Sequence, residues 1–176
     1  MPQSNEIFDI VDENDRVIGH ASRREAHAGH LQHRAVHVLI FNRQGKLLVQ
    51  KRSTIKDAYP GCYDSSASGH VDTGESYDAA ASRELQEELG LVMPVAAFQK
   101  QFKIDACVDT GWEFVWVYTG HNDAPVTPNP DEVASVTVMN RAQVEALLAA
   151  QPDTCAPAFR RVIREVFARD LFSPSR

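Results

Sequence analysis

Three glutamates within one short segment have the spacing of a metal-binding helix face. In an α-helix, which turns by about 100° per residue, Glu84, Glu87 and Glu88 fall on a single arc. Like charges one turn apart destabilise a bare helix, and a divalent cation would remove that repulsion. Mg²⁺ takes oxygen ligands and is commonly held by one or two carboxylates together with substrate phosphates. We therefore expect direct ligation by Glu84 and Glu88, with Glu87 as a third ligand, direct or through water.

Arg83 and Gly69 complete this group of candidate residues. Arg83 precedes Glu87 by four residues, so it can orient that carboxylate or reach a phosphate with its planar guanidinium. Gly69 has no Cβ, so its backbone carbonyl could approach a metal closely. Glu75 is expected to support the loop between Gly69 and Gly74 through Arg83 rather than to bind metal. The predicted site comprises the metal ligands Gly69, Glu84, Glu87 and Glu88 and the catalytic residues Arg83, Glu87 and Glu88.

The element that must position these side chains is a helix over residues 77–89. This segment contains no Gly or Pro and is rich in residues that favour the helix. Gly90 follows directly, where a helix commonly ends on a residue in the left-handed conformation. An apolar stripe that repeats every four residues is expected to face the core. The stripe consists of Tyr77, Ala81, Leu85 and Leu89.

The remaining segments predict a layered α/β (α+β) fold with a mixed sheet between helices, in one domain over 1–176. The predicted strands cover 6–11, 16–21, 35–41, 46–51, 95–104, 112–119 and 133–139. The first two form a small N-terminal hairpin at about 5–22, and the next two form a second hairpin. Two C-terminal helices, 141–150 and 158–172, account for about 141–172. The predicted loops are 27–33, 52–68 and 124–130, the second of them leading to a short strand before residue 69.

Composition excludes several classes of protein. A net charge of −6 argues against general nucleic-acid affinity, which needs a basic face. No apolar run approaches the roughly 18 residues of a membrane span, so no membrane association is expected. The N-terminal segment lacks the basic and apolar regions of a secretory signal, and the three cysteines are far apart. They are interpreted as reduced thiols, which favours a cytoplasmic protein.

The segment 69–91, GHVDTGESYDAAASRELQEELGL, resembles the Nudix box of Mg²⁺-dependent hydrolases that cut diphosphate linkages. It fits Gly, five residues, Glu, seven residues and R-E-aliphatic-x-E-E-x-G-aliphatic at every specified position. The matching residues are Gly69, Glu75, Arg83, Glu84, Leu85, Glu87, Glu88, Gly90 and Leu91. The resemblance implies an α/β/α sandwich with a central mixed sheet, Mg²⁺ or Mn²⁺ as cofactor and a small-molecule diphosphate as substrate.

A second resemblance surrounds this box. HRAVHVLIFNRQGKLLVQKRSTIKDAYPG, followed by SGH, is similar to the type I isopentenyl-diphosphate isomerases, which share the Nudix fold. The resemblance implies that Arg52 and Lys56 contact the diphosphate, and His70 joins them as a candidate phosphate contact because it follows Gly69. It also implies a second set of metal ligands, which suits Zn²⁺ or Mn²⁺ better than Mg²⁺ because it includes imidazoles. That set is His27, His33, His70 and Glu113.

Two departures separate this chain from the isomerases. Ser68 stands where the isomerases carry a catalytic cysteine, and a serine hydroxyl cannot shuttle protons as a thiol does near neutral pH. Gly111 stands where a second glutamate is expected near Glu113. The Nudix box is complete here, whereas the isomerases carry a degraded one. The chain therefore resembles an isomerase-like subgroup of Nudix hydrolases rather than the isomerases.

The predicted reaction is hydrolysis of a phosphoanhydride bond in a nucleoside diphosphate derivative or a related small molecule. A bound cation would offset charge at phosphorus, and a carboxylate would accept the proton of the attacking water. The sequence does not choose among the candidates for this base, which are Glu87, Glu88, Glu113, Asp131 and Glu132. Two alternatives remain open: a binding module without turnover, and the isomerase itself. The substrate is not identified by the sequence, and a homodimer stays open.

Overall fold

Residues 6–172 are described by the computed structural model of the chain. Residue 5 of the predicted N-terminal hairpin, together with 1–4 and 173–176, lies outside the described residues. The strands are β1 (Ile7–Val11), β2 (Val17–Ser22), β3 (His33–Phe41), β4 (Leu47–Arg52), β5 (Tyr63–Asp64), β6 (Ala67–His70), β7 (Gln99–Ile104), β8 (Glu113–His121) and β9 (Val133–Met139). The helices are α1 (Arg23–Ala28), α2 (Tyr77–Leu89), α3 (Arg141–Ala150) and α4 (Pro157–Ala168).

Seven strands form a mixed sheet with β3 near its centre. The order is β5-β4-β3-β8-β7, with β6 also paired to β3 and β9 also paired to β4. β3 and β8 run parallel, and the other pairs are antiparallel. β1 and β2 form a separate two-stranded antiparallel sheet, which confirms the small N-terminal hairpin.

Helices cover both faces of the sheet because β3 is apolar on both of its faces. Alternate side chains of a strand point to opposite faces. Val36, Val38 and Ile40 pack with α2 in one core cluster, whereas Leu39 and Phe41 pack with α4 in the other. The predicted α/β/α sandwich with a central mixed sheet is confirmed.

The predicted hairpin of β3 and β4 opens immediately after its turn. The two strands pair only at Phe41 and Leu47. Beyond that point β3 pairs with β6, and β4 pairs with β5 and β9. The two strands therefore diverge within the one sheet, because each satisfies its backbone groups with different partners.

Several predicted element bounds were wrong. The predicted loop 52–68 contains the strand β5 and the first two residues of β6. The predicted loop 27–33 begins too early, since α1 extends to Ala28; Ser22 and Glu25 form a capping box that starts this helix. The predicted strand 95–104 starts only at Gln99, after a short 3₁₀ turn. The last helix ends at Ala168, not 172. Its chain then turns at Asp170, whose φ is 52°, and returns to the core. Among residues 6–172, no helix combines the length and apolar character that crossing a membrane requires.

Candidate active site

Helix α2 presents its three glutamates to one cavity, but in three different environments. The helix begins after Ser76, which accepts a hydrogen bond from the Ala79 amide, and its apolar stripe packs into the core as predicted. Glu88 is buried, Glu84 is 13% exposed at its side chain, and Glu87 is 56% exposed. Glu84 and Glu88 therefore belong to the cavity wall, whereas Glu87 reaches toward its mouth.

Gly69 lies directly against Glu84. A Cβ atom at Gly69 would overlap the Glu84 carboxyl group, so no other residue fits here without moving that carboxylate. β6 can therefore pass close to α2, and its backbone contributes to the same wall. The glycine is required by this close approach, a reason that complements the predicted role of its carbonyl as a metal ligand.

Two neutral donors hold Glu88 in place. Gln50 Nε2 and the Ser68 backbone amide both donate to Glu88 Oε2, at 2.8 and 3.0 Å. Burial raises the pKa of Glu88 well above its usual value, and the neighbouring Glu84 and Asp64 raise it further. Burial also raises the pKa of Glu84 to about 7, although Arg83 opposes the shift. A bound cation would favour both ionised forms, so this pair of carboxylates fits a metal.

Arg83 joins the Nudix-box carboxylates. Its Nε and Nη2 donate to the two oxygens of Glu75 at 3.0 and 2.8 Å, as expected for a residue that supports the loop. Its Nη1 donates to Glu84 and Glu87 at 2.6 and 3.2 Å, and Nη2 also reaches the His70 carbonyl. All three guanidinium nitrogens are thus engaged by the protein. This arrangement favours a positioning role over direct phosphate contact.

The cavity has a volume of about 770 Å³ and brings together every residue of the predicted site. Asp131, weighed as a general base, is not among the residues that line it in the described part of the chain. The predicted residues in its wall are Arg52, Lys56, Gly69, His70, Arg83, Glu84, Glu87, Glu88, Glu113 and Glu132.

The two predicted phosphate-binding cations already have acidic partners. Arg52 donates to Asp64 Oδ2 at 3.2 Å and to the Ala58 carbonyl at 3.1 Å. Lys56 forms an ion pair with Glu132. Both cations line the cavity, so a phosphate could compete for them. Glu132 is correspondingly engaged and less available as a base.

A cluster of His27, His33, His70 and Glu113 forms a second group of possible metal ligands. Each offers one ligand atom, and these atoms all lie within 4.8 Å of one another. His33 Nδ1 donates to the Leu31 carbonyl at 2.8 Å, and its Nε2 faces the cluster. That buried Nε2 has no hydrogen-bond partner among residues 6–172, although Glu113 Oε1 is 3.5 Å away. An unpartnered buried imidazole nitrogen fits a metal ligand.

His70 and Glu113 contact each other directly within this cluster. Their Nε2 and Oε1 atoms are 3.1 Å apart. Burial lowers the pKa of His70 to about 4, so the ring is neutral. Burial acts against ionisation of Glu113, but its two histidine neighbours lower its pKa below the usual range. Glu113 is therefore an ionised carboxylate that the cluster already holds, and His70 belongs to the cluster more than to a phosphate site.

Arg23 and His37 are two of the cavity residues that the sequence did not predict. Arg23, on α1, pairs with Glu6 and Asp57 at 3.1 Å and contacts His70 Nδ1 at 3.2 Å. The Ser22–Glu25 capping box could have revealed α1 and thus its arginine. His37 also lines the cavity, and its spacing along β3 gave no signal that distinguished it from a core residue.

The departures from the isomerase pattern persist in three dimensions. Ser68 lines the cavity, and none of the three cysteines is among the residues that line it in the described chain. A Cβ atom on Gly111 would lie 3.8 Å from Glu113 Oε1, so the glutamate expected at this position would start beside the cluster. With glycine there, the cluster lacks a side chain on that side. The cavity thus contains the carboxylates of a hydrolase without the thiol of the isomerase.

The α/β/α sandwich, with an acidic helix over a polar cavity, agrees with the class of protein that the sequence resembles. Residues 31–162 match the family model described as the NUDIX domain. The chain belongs to the Nudix family, and it is a Nudix hydrolase.

The chain is similar both to proteins named as Nudix hydrolases and to proteins named as isomerases. It is 40% identical to an uncharacterized Nudix hydrolase of Streptomyces coelicolor, over 84% of this chain and 82% of that protein. It is 31% identical to a protein of Photorhabdus laumondii named isopentenyl-diphosphate Delta-isomerase 2, over 95% and 96% of the two chains. The crystal structure of DR0079 from Deinococcus radiodurans superposes with a TM-score of 0.74 at 29% identity, covering 83% of this chain and 90% of that one.

Proposed function

We propose that this protein is a divalent-metal-dependent hydrolase of a phosphoanhydride bond in a nucleoside diphosphate derivative or a related small molecule. The observation that carries the proposal is the pair of carboxylates in the wall of the cavity, buried Glu88 and largely buried Glu84. Burial raises the pKa of both carboxyl groups, a bound cation would favour their ionised forms, and Gly69 leaves room for Glu84. Membership of the Nudix family supports the same reaction class.

The carboxylates of α2 would hold Mg²⁺ or Mn²⁺, with Glu84 and Glu88 as ligands. When bound, the cation neutralises phosphate charge and lowers the pKa of coordinated water. Glu87 is the exposed member of the three and contacts Arg83 at 3.2 Å. It is therefore the carboxylate best placed to accept the proton of an attacking water, since the side chains of Glu113 and Glu132 are less exposed, at 13% and 26%.

The composition of the cavity wall supports a polar substrate. Four cations line it, each paired with at least one acidic residue. They are Arg23, Arg52, Lys56 and Arg83. Most side chains that line the cavity are charged or polar, and the only Phe, Tyr or Trp ring among the described lining residues is that of Tyr59. Such a wall suits phosphate and sugar groups better than a prenyl chain.

One observation favours the isomerase as a second candidate. The cluster of His27, His33, His70 and Glu113 fits a metal, here Zn²⁺ or Mn²⁺ because three of its four donors are imidazoles. Relatives named isomerases share this region of the chain. Ser68 argues against that activity, since it removes the thiol that would exchange protons.

A substrate panel tests the proposal. The purified protein is incubated with Mg²⁺ or Mn²⁺ and with nucleoside diphosphates and triphosphates, dinucleotide polyphosphates, nucleotide sugars or isopentenyl diphosphate. We expect cleavage of at least one anhydride, lowered at least about a hundredfold in Glu88→Gln because a metal ligand is lost. Formation of dimethylallyl diphosphate without hydrolysis would establish the isomerase instead. Tight binding with no turnover would establish a binding module.

A further inference from the structure

His37 is a buried residue of the cavity wall that belongs to neither group of possible metal ligands. It lies on β3, is 4% exposed and lines the cavity. Its Nδ1 is 2.7 Å from Ser65 Oγ. A buried imidazole with one nitrogen engaged presents the other to whatever fills the space beside it.

The bond to Ser65 decides which nitrogen of His37 carries the proton. Ser65 is fully buried, and among residues 6–172 the only acceptor for its hydroxyl proton is His37 Nδ1. If Nδ1 donated instead, the hydroxyl hydrogen would have no acceptor, at a cost of about 1–3 kcal/mol. Asp64 Oδ1 lies 3.8 Å from Nδ1, too far for a hydrogen bond to reverse this choice. His37 therefore carries its proton on Nε2.

This N–H is a donor that the protein itself does not use. We find no partner for His37 Nε2 among the described residues, whereas the four cations of the cavity are all paired with acidic residues. Burial lowers the pKa of His37, although Asp64 and Glu113 act in the opposite direction, so the ring stays neutral. This neutral N–H can therefore donate to a phosphate directly, whereas each of the four cations must first give up an ion pair.

The neighbours of His37 place it beside the groups expected to bind a diphosphate. Its cross-strand partner is Ser68, whose amide donates to Glu88. Its Nδ1 also lies 3.8 Å from Asp64, which is paired with Arg52. His37 thus neighbours both the strand that holds Glu88 and the acidic partner of a cavity cation.

We propose that His37 donates a hydrogen bond from Nε2 to an oxygen of the substrate diphosphate, with Ser65 fixing its tautomer. This inference rests on the function proposed above, because it requires a diphosphate in the cavity. It adds a neutral substrate-binding residue to the four cations of the cavity wall. Ser65 acts through His37 and is a positioning residue.

Two substitutions separate the roles of the two ring nitrogens. The amide of His37→Gln can occupy the position of Nε2 and donate to the cavity. The shorter amide of His37→Asn can occupy the position of Nδ1, so it keeps the bond to Ser65 but not the donor to substrate. The probe is magnesium imidodiphosphate, a diphosphate analogue that resists hydrolysis, and its dissociation constant is measured by calorimetry.

We expect His37→Gln to bind the probe within about threefold of the unmodified protein and His37→Asn to bind at least about tenfold more weakly, the effect of one hydrogen bond. Equal binding by both variants, or weaker binding by the Gln variant, would show that His37 only packs against Ser65. If the unmodified protein does not bind the probe, the proposed function fails and this inference fails with it. Glu88→Gln is the control that places the probe at the metal site, and it is expected to lose binding.

Nitrogen-15 spectra of the unmodified protein test the tautomer without any substitution. We expect a protonated Nε2 and an unprotonated Nδ1 on His37, and a shift of the Nε2 signal when magnesium imidodiphosphate is added. A proton on Nδ1, or an Nε2 signal that ignores the probe while the probe binds, would overturn the inference and leave the proposed function standing.

Discussion

Glu88 is the residue on which the proposed chemistry depends most. It is buried, and its carboxylate receives hydrogen bonds from Gln50 and the Ser68 amide, both of them neutral donors. Neutral donors orient a carboxylate without supplying the opposite charge that burial demands. The two hydrogen bonds thus orient Glu88 for a cation. Its burial without an opposite charge lowers the stability of the metal-free protein.

The pH dependence of stability follows from this burial. The folded-state pKa of Glu88 is raised above its unfolded value, so the folded protein retains a proton that the unfolded chain has released. Its contribution to stability is therefore present at low pH and lost as pH rises through the folded-state pKa. In EDTA, the unfolding free energy of Glu88→Gln relative to the unmodified protein should rise by about 1–3 kcal/mol between about pH 5 and about pH 8. Urea titrations at the two pH values measure this difference.

Added Mg²⁺ provides the control for that experiment. A cation that binds only the folded state raises the stability of the unmodified protein by mass action and should do little for Glu88→Gln. A Gln variant that loses stability relative to the unmodified protein as pH rises in EDTA would contradict the account of a buried, uncompensated carboxylate.

Gly69→Ala tests the close approach of β6 to α2. The new Cβ overlaps the Glu84 carboxyl group, so Glu84 must leave its position in the wall. We expect turnover to fall about tenfold to a hundredfold and the Mg²⁺ concentration for half-maximal activity to rise, since a displaced ligand weakens the metal site. Gly19→Ala, where a Cβ meets nothing within 4 Å, is the matched control and should leave both quantities unchanged. Equal activity in the two variants would remove Gly69 from the site.

At the scale of the element, α2 is the part of the molecule that the sequence predicted best. Its bounds, its apolar stripe and its terminal glycine depend on residues within one segment, and local preferences decide them. α1 was missed because it has only six residues, too few for a periodic apolar pattern. The capping box Ser22–Glu25 was its only local signal.

The end of α2 is fixed by Gly90. Its φ is 63°, and a Cβ there would lie 2.9 Å from the Thr127 carbonyl oxygen. Gly90→Ala should therefore lower the unfolding free energy by about 1–3 kcal/mol, from backbone strain and the clash together. Gly74→Ala is the comparison, because its φ is 75° but a Cβ meets nothing within 4 Å. The urea midpoint of unfolding should fall further for Gly90→Ala than for Gly74→Ala. A larger fall for Gly74→Ala would show that the contact with Thr127 is unimportant.

At the scale of the whole molecule, the site depends on contacts between distant segments. The sequence identified Arg52 and Lys56 as cavity residues through a resemblance. Their partners Asp64, on β5, and Glu132, in the turn before β9, belong to separate segments, so no local pattern reveals the pairing. For the same reason, the sequence could not exclude Glu132 as a free general base.

The topology explains where the cavity lies. The sequence predicted β3 and β4 correctly as strands, but not that they separate after one pair of residues. Pairing with β5, β6 and β9 is a long-range choice that propensity does not encode. His37 on β3 and Arg52 on β4 consequently line a cavity instead of facing each other within one continuous hairpin.

In the proposed reaction, water attacks a phosphoanhydride under the control of the α2 carboxylates. The most direct measurement is mass spectrometry of the products formed in ¹⁸O-labelled water with Mg²⁺, on the substrate of the panel that is cleaved fastest. We predict one ¹⁸O atom in a phosphate group of one product for the unmodified protein, and at least about a hundredfold less labelled product for Glu88→Gln. Products without ¹⁸O in any phosphate group, or equal labelling by the two proteins, would contradict the claim.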